Sequence, residues 1–191
     1  GSIDLNNIWT DGQDTITAIR GFNSALVVWG KRHVVFFGDS AGSALGVDPD
    51  NLYVQDIIAG SGCVDQHSVQ LVGEKDILYL SPRGVQSLGR LIQERSNPVD
   101  TLSAKIEPEI VNKIQNETAG EIKSFYSPKL GLYGVSFASQ GVTYVLEIRH
   151  MYQDEDGVGV RAPVFEWDLA PYSWVYRDNG DLLLGQTNVV G

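Results

Sequence analysis

The sequence contains one cysteine, Cys63, one methionine and three histidines, His33, His67 and His150. A lone cysteine excludes an internal disulfide framework, and three scattered histidines have none of the spacings of a zinc site. Stability therefore has to come from burial. Basic residues are also scarce: 14 Lys and Arg stand against 24 Asp and Glu, a net charge of −10. That balance argues against whole-molecule attraction to nucleic acid or to an anionic membrane, since both depend on Lys and Arg. No apolar run approaches the roughly 18 residues of a transmembrane helix.

What is present is ordinary in composition and unusual in pattern. The chain is 42% hydrophobic and 20% charged over 191 residues, enough for one well-buried domain. An apolar strand, a tight turn and a second apolar strand recur four times: Leu26–Phe37, Ile77–Leu88, Leu132–Ile148 and Trp174–Leu184. Aligned on Val34, Val85, Val142 and Leu182, the copies are 51, 57 and 40 residues apart. Further strands are expected at Ile16–Arg20, Leu52–Ile58, Gly89–Glu94 and Val164–Asp168, about four per repeat, the number in a propeller blade. The expected fold is all-β, with β-propeller-like blades in about four units, a partial propeller included. One short helix is expected at Glu107–Asn116, where Ile106, Ile110, Val111 and Ile114 recur at helical spacing. Gly1-Ser2 reads as the remnant of a removed tag. Residues 1–15 are then a lead-in, and 16–191 a single domain belonging to a larger protein.

Each chemical motif has a plainer reading. Gly38-Asp39-Ser40-Ala41-Gly42 fits G-x-S-x-G after a strand and resembles the esterases of the hormone-sensitive-lipase group, which would make Ser40 a nucleophile. That chemistry needs a parallel α/β sheet upstream, and only 37 residues precede the motif; a small-residue turn is expected instead. The acidic loops Asp48-Pro49-Asp50-Asn51, Asp154-Glu155-Asp156-Gly157 and Asp178-Asn179-Gly180-Asp181 could each offer oxygens to calcium, but none has full calcium-loop spacing. Asn-Gly between apolar strands is a hairpin signal in its own right. The same loops faintly suggest the Asp-box turns of sialidase-like propellers and hence a glycan- or ligand-binding module. Its pocket would require convergent arginines, and Arg20, Arg83, Arg90, Arg95, Arg149 and Arg161 show no such pattern.

Cys63 with His67 could form a nucleophile and base, although a lone cysteine is more often a small buried apolar residue. Trp9, Trp29, Trp167 and Trp174 are expected in the core or between blades. Lys31-Arg32-His33 and Arg149-His150 are expected to be solvated tips. No catalytic, cofactor or metal residue is assigned.

One stretch carries a family resemblance. Ile57-Ile58-Ala59-Gly60-Ser61-Gly62-Cys63-Val64-Asp65-Gln66-His67-Ser68-Val69 is followed by Ile77-Leu78-Tyr79-Leu80-Ser81-Pro82-Arg83-Gly84-Val85. Ala18–Gly30 precedes it, and Trp174–Gly185 closes the series. Together they resemble the blades of propeller-type tail and neck proteins of short-tailed bacteriophages, the packaged-DNA stabilisation and tail-hub or nozzle class. The likeness covers residues 16–95 well and 120–185 loosely, and the chain is shorter than a complete member. It implies a non-enzymatic virion component that works through interfaces with other tail or neck subunits and forms a homo-oligomer when complete. DNA would at most pass through its channel, unbound in any specific way. An acidic wall fits that role because carboxylates repel the phosphate backbone and let DNA slide.

Overall fold

The computed structural model describes residues 8–9, 13–42, 49–94, 100–155, 157 and 159–185. The chain divides into two compact units, residues 1–66 and 67–191. Every strand pairing among the described residues is antiparallel. The sequence expectation of an antiparallel β protein is met in this coarse form, with open sheets.

The first unit is a meander of four strands in spatial order: β1 (Ile16–Phe22), β2 (Ala25–Gly30), β3 (His33–Asp39) and β4 (Leu52–Ala59). Strands β2 and β3 carry nearly continuous apolar runs, the pattern expected of strands covered on both faces. Val27, Trp29, Val34 and Val35 are indeed fully buried. Each such side chain contributes roughly 1.5–3 kcal/mol relative to exposure. On one face Val28, Val35 and Phe37 pack around Trp9, joined by Ile8, Leu26 and Ile57. The pairing of β3 with β4 slips between Phe36↔Asp56 and Phe37↔Val54, leaving Gln55 as the extra residue of a bulge. The β1–β2 turn is two residues long, Phe22 pairing with Ala25. Asn23 and Ser24 both have positive φ, 48° and 60°, the geometry of a primed turn without its usual glycine.

The second unit opens with β5 (Gln70–Val72), β6 (Asp76–Ser81) and β7 (Gly84–Ser87), followed by helix α1 (Leu88–Glu94). The strand expected at Gly89–Glu94 is therefore a helix. Ser87 accepts the Arg90 N–H at 3.1 Å in the manner of an N-cap, and Asp76 accepts the Gly89 N–H at 2.8 Å. Arg90 and Glu94 pair at i,i+4, and Leu88 and Leu91 are the buried positions. The cap acceptor that decides the outcome, Asp76, lies thirteen residues upstream and across the sheet.

The stretch Thr101–Ser103 runs beside β7, Leu102 N–H donating to Val85 C=O, and Leu102 C=O accepts from Ala162 N–H. Helix α2 (Glu107–Asn116) coincides with the sequence expectation. Glu107 and Glu109 sit in its first turn and Lys113 in its last, matching the helix dipole, while Ile110 is buried.

A second four-stranded sheet follows in the order β13-β10-β9-β8, built from β8 (Ile122–Ser127), β9 (Leu132–Phe137), β10 (Val142–Glu147) and β13 (Val164–Trp167). The short hairpin β11 (Tyr152–Gln153) and β12 (Val160–Arg161) is inserted before β13. The chain's last described pair is β14 (Ser173–Tyr176) with β15 (Leu182–Gly185).

The four recurrent hairpins of the sequence are thus β2–β3, β6–β7, β9–β10 and β14–β15, all antiparallel. The uniform four strands per repeat is not observed. Among the described residues the sheets hold four, three and four strands, and β11–β12 and β14–β15 stand as pairs.

A glycine at position 24 would adopt the observed positive φ without the side-chain clash of an L-residue. Ser24→Gly is expected to stabilise the protein by about 0.5–1 kcal/mol, read as a higher urea midpoint at unchanged slope.

Candidate functional site

A buried histidine and a carboxylate meet at the β2–β3 turn. Asp14 accepts four hydrogen bonds there: from the N–H groups of Thr15 at 2.7 Å, Lys31 at 2.9 Å and Arg32 at 2.9 Å, and from His33 Nδ1 at 2.8 Å. A carboxylate can only accept, so His33 Nδ1 carries the proton. Burial pushes the Asp14 carboxyl up, but the bonds from His33 and from the Arg32, Thr15 and Lys31 amides outweigh it and hold its pKa at about 2, below the usual 3.8. Gly30 is required at the start of this turn, because a Cβ there would collide with the Asp14 carboxylate. From the other side Gly60 N–H donates to Arg32 C=O, and Cys63 N–H to Gly30 C=O.

A buried aspartate orienting a histidine is also the arrangement of a catalytic base. Here the ring is 1% exposed and lies 5.4 Å from Trp9, centroid to centroid. The pair ties Asp14 to the first residue of β3. The expectation that His33 is a solvated tip is corrected: Lys31 and Arg32 are exposed, whereas His33 is drawn inward by Asp14, nineteen residues away.

The other sequence candidates are separated. Ser40 follows β3, which runs antiparallel between β2 and β4, unlike the parallel strand before a hydrolase elbow. The Ser40 hydroxyl donates to Asn51 C=O at 3.1 Å, and Ala41 N–H to Asp39 Oδ1 at 2.9 Å, so the motif closes a turn. Cys63 is fully buried and its Sγ donates to Asp65 C=O, while His67 is exposed.

Of the acidic loops, Asp48 and Asp156 lie outside the described residues, as does Arg95, and Asp50 is exposed in a single 3₁₀ turn. Asp154 accepts Gly159 N–H and binds Arg161, which also reaches Asp100 at 2.9 Å. Asp178–Asp181 is a hairpin tip: Gly180 N–H donates to Arg177 C=O, Arg177 N–H to Asp181 C=O, and Gly180 alone takes positive φ, 82°. That is a type I turn with a glycine bulge, so Asn179 does not need the left-handed region. Lys129 clamps the tip through Asn179 C=O and Asp181. No group of three or more His, Cys, Asp or Glu able to hold a metal occurs among the described residues. The arginines are likewise dispersed, Arg83 pairing with Glu107 and Arg90 with Glu94.

The tryptophans divide. Trp9 and Trp29 are core residues and Trp167 stacks on Phe125, centroids 5.9 Å apart, but Trp174 is 37% exposed beside Tyr176. This exposure belongs to a wider pattern that sequence periodicity does not disclose. Large apolar side chains reach solvent mainly on edge strands: Ile16 and Ile19 on β1, Tyr53 and Val54 on β4, Phe165 on β13, and Trp174, Val175 and Leu183 on the β14–β15 hairpin. Soluble proteins usually guard such edges with charge, proline or a covering element. Apolar residues on open edges mark surfaces that accept another strand or subunit.

No helix among the described residues is long and apolar enough to cross a membrane. No family model matches the chain, and no curated protein matches it.

The Asp14 carboxyl ionises at about 2 in the folded chain and at 3.8 in the unfolded one, so the unfolded state binds more protons between these values. The stability it contributes, about 2 kcal/mol, is complete above about pH 4 and is lost as pH falls towards 2. Asp14→Asn is expected to abolish this component, seen as a shallower acid dependence of the urea midpoint, and to destabilise the protein by at least about 2 kcal/mol at neutral pH.

Proposed function

We propose that the protein is a non-catalytic structural module that assembles through its sheet edges, in the role its sequence resemblance implies. That role is a virion component of the tail or neck of a short-tailed bacteriophage, of the hub or nozzle type, with β-propeller-like blades around a DNA channel. The observation that carries this reading is the concentration of exposed aromatic and branched side chains on β1, β4, β13 and β14–β15. Two four-stranded antiparallel meanders, one of them with an inserted hairpin, have the strand count of propeller blades and support the blade reading. An acidic surface supports the channel reading, because it would repel rather than hold passing phosphates.

Mechanically, the rigid hairpins hold the edges at fixed positions and neighbouring subunits complete them. Function then lies in the interfaces, with other tail or neck subunits as partners and the assembled virion as the location. The Ser40 turn serves as a connector between β3 and β4 in this reading, and hydrolysis is no part of it.

The full-length protein is expected to form a ring with a central channel, seen by solution mass and negative-stain imaging. A compact monomer would overturn the assembly role. Wild type and Ser40→Ala are both expected to leave an activated ester unhydrolysed above the uncatalysed rate. Turnover that disappears in Ser40→Ala would overturn the non-catalytic reading.

A further inference from the structure

Asn179 is the only asparagine of the chain that is followed by glycine. That dipeptide is the one most prone to close on itself, because Gly180 has no Cβ to keep its nitrogen from the Asn179 carboxamide. Asn179 is exposed at the tip of the β14–β15 hairpin, yet the tip engages every group that such a closure needs. Gly180 N–H donates to Arg177 C=O at 2.8 Å. The Asn179 carboxamide is held at both ends by Asp181: Nδ2 donates to Oδ2 at 2.7 Å, and Oδ1 accepts the Asp181 N–H at 3.0 Å. Lys129, fifty residues before Asn179, completes the arrangement, with Nζ donating to Asn179 C=O at 3.0 Å and to Asp181 Oδ1 at 3.2 Å. The bonds from Lys129 and Asn179 hold the Asp181 carboxyl below its usual range.

We propose that Asn179 is a deamidation site whose rate is set by the Lys129 clamp, and that its reaction releases the hairpin tip. The Gly180 nitrogen loses its proton and bonds to Asn179 Cγ, the Cγ–Nδ2 bond breaks, and the nitrogen leaves as ammonia with that proton. Water, the one co-reactant, then opens the succinimide at either carbonyl and leaves aspartate or isoaspartate. Attack requires the Gly180 peptide to turn away from Arg177 C=O and the carboxamide to leave Asp181, so it proceeds from an opened tip. Lys129 opposes that opening with two bonds from the β8–β9 connection to the hairpin. The product reverses the electrostatics, because a carboxylate then stands where Nδ2 donated to Asp181 and two like charges replace a hydrogen bond. Isoaspartate also adds a carbon to the main chain, and the register that joins Arg177 N–H to Asp181 C=O is lost. The site is independent of the assembly role and stands or falls without it.

The test incubates the whole protein, its Lys129→Ala variant and a synthetic peptide of residues 173–185 at mildly alkaline pH. Conversion at Asn179 is followed by peptide mass spectrometry and an isoaspartate assay. Wild type is expected to react at least about tenfold more slowly than the peptide. Lys129→Ala is expected to react about fivefold faster than wild type, the effect of losing one exposed ion pair and one hydrogen bond. Asn23, followed by Ser24 in the exposed β1–β2 turn, is the control within the same samples. A general loss of stability speeds both sites, whereas release of the clamp speeds Asn179 alone. Asn179→Asp, which creates one product directly, is expected to lose the hydrogen-exchange protection of the Gly180 and Arg177 amides while the β9–β10 amides keep theirs. Wild type reacting as fast as the peptide, Lys129→Ala no faster than wild type, an equal acceleration at Asn23, or full amide protection in Asn179→Asp would overturn the proposal.

Discussion

The first unit depends on one carboxylate. Asp14 gathers three backbone N–H groups and the His33 ring, and in doing so fixes the β2–β3 turn that joins the two central strands. Two of these amides, Lys31 and Arg32, form the turn itself and take the carboxylate as their acceptor. Once the turn is fixed, the backbone of Gly60–Cys63 can close on its carbonyls, and Trp9 can pack beside His33. Gly30 records the same constraint sterically, since no side chain fits between the turn and the carboxylate.

The second unit uses the same principle at Asp76. Its oxygens satisfy β6 at Ile77, the Ser87 hydroxyl and the first turn of α1, so a short helix grows directly from the end of a strand. Polar links then register the three-stranded sheet with the four-stranded one. Gln70 donates to Ser124, and the buried Tyr133 hydroxyl donates to Ser68 C=O at 2.6 Å. The β14–β15 hairpin is held differently, by Lys129, which bonds both Asn179 C=O and Asp181 at its tip. A two-stranded hairpin gains little stability from its own pairing, which makes these anchors necessary.

Much of the architecture was legible because it is local. Alternation and turn chemistry place the four hairpins, and the spacing of Ile106, Ile110 and Ile114 with flanking charges places α2. The candidate sites were less legible. G-x-S-x-G is a local string, but a nucleophile elbow is a statement about neighbouring strands, and β3 has antiparallel ones. Lys129 and Asn179 are far apart in sequence, and nothing in either local stretch signals that one clamps the other.

The sequence by itself determined the antiparallel hairpins, the central apolar strands and the main helix, since each follows from periodicity and turn preference within about a dozen residues. Tertiary structure alone decided that His33 is buried and Lys31 exposed, that Gly89–Glu94 is helical, and which apolar side chains remain on open edges. In each case the deciding group is distant along the chain: Asp14 for the turn, Asp76 for the helix, and for the edges the strand that is or is not paired beside them. A buried polar group must be satisfied by whatever the fold brings to it, and that partner cannot be read from its own neighbourhood in the sequence.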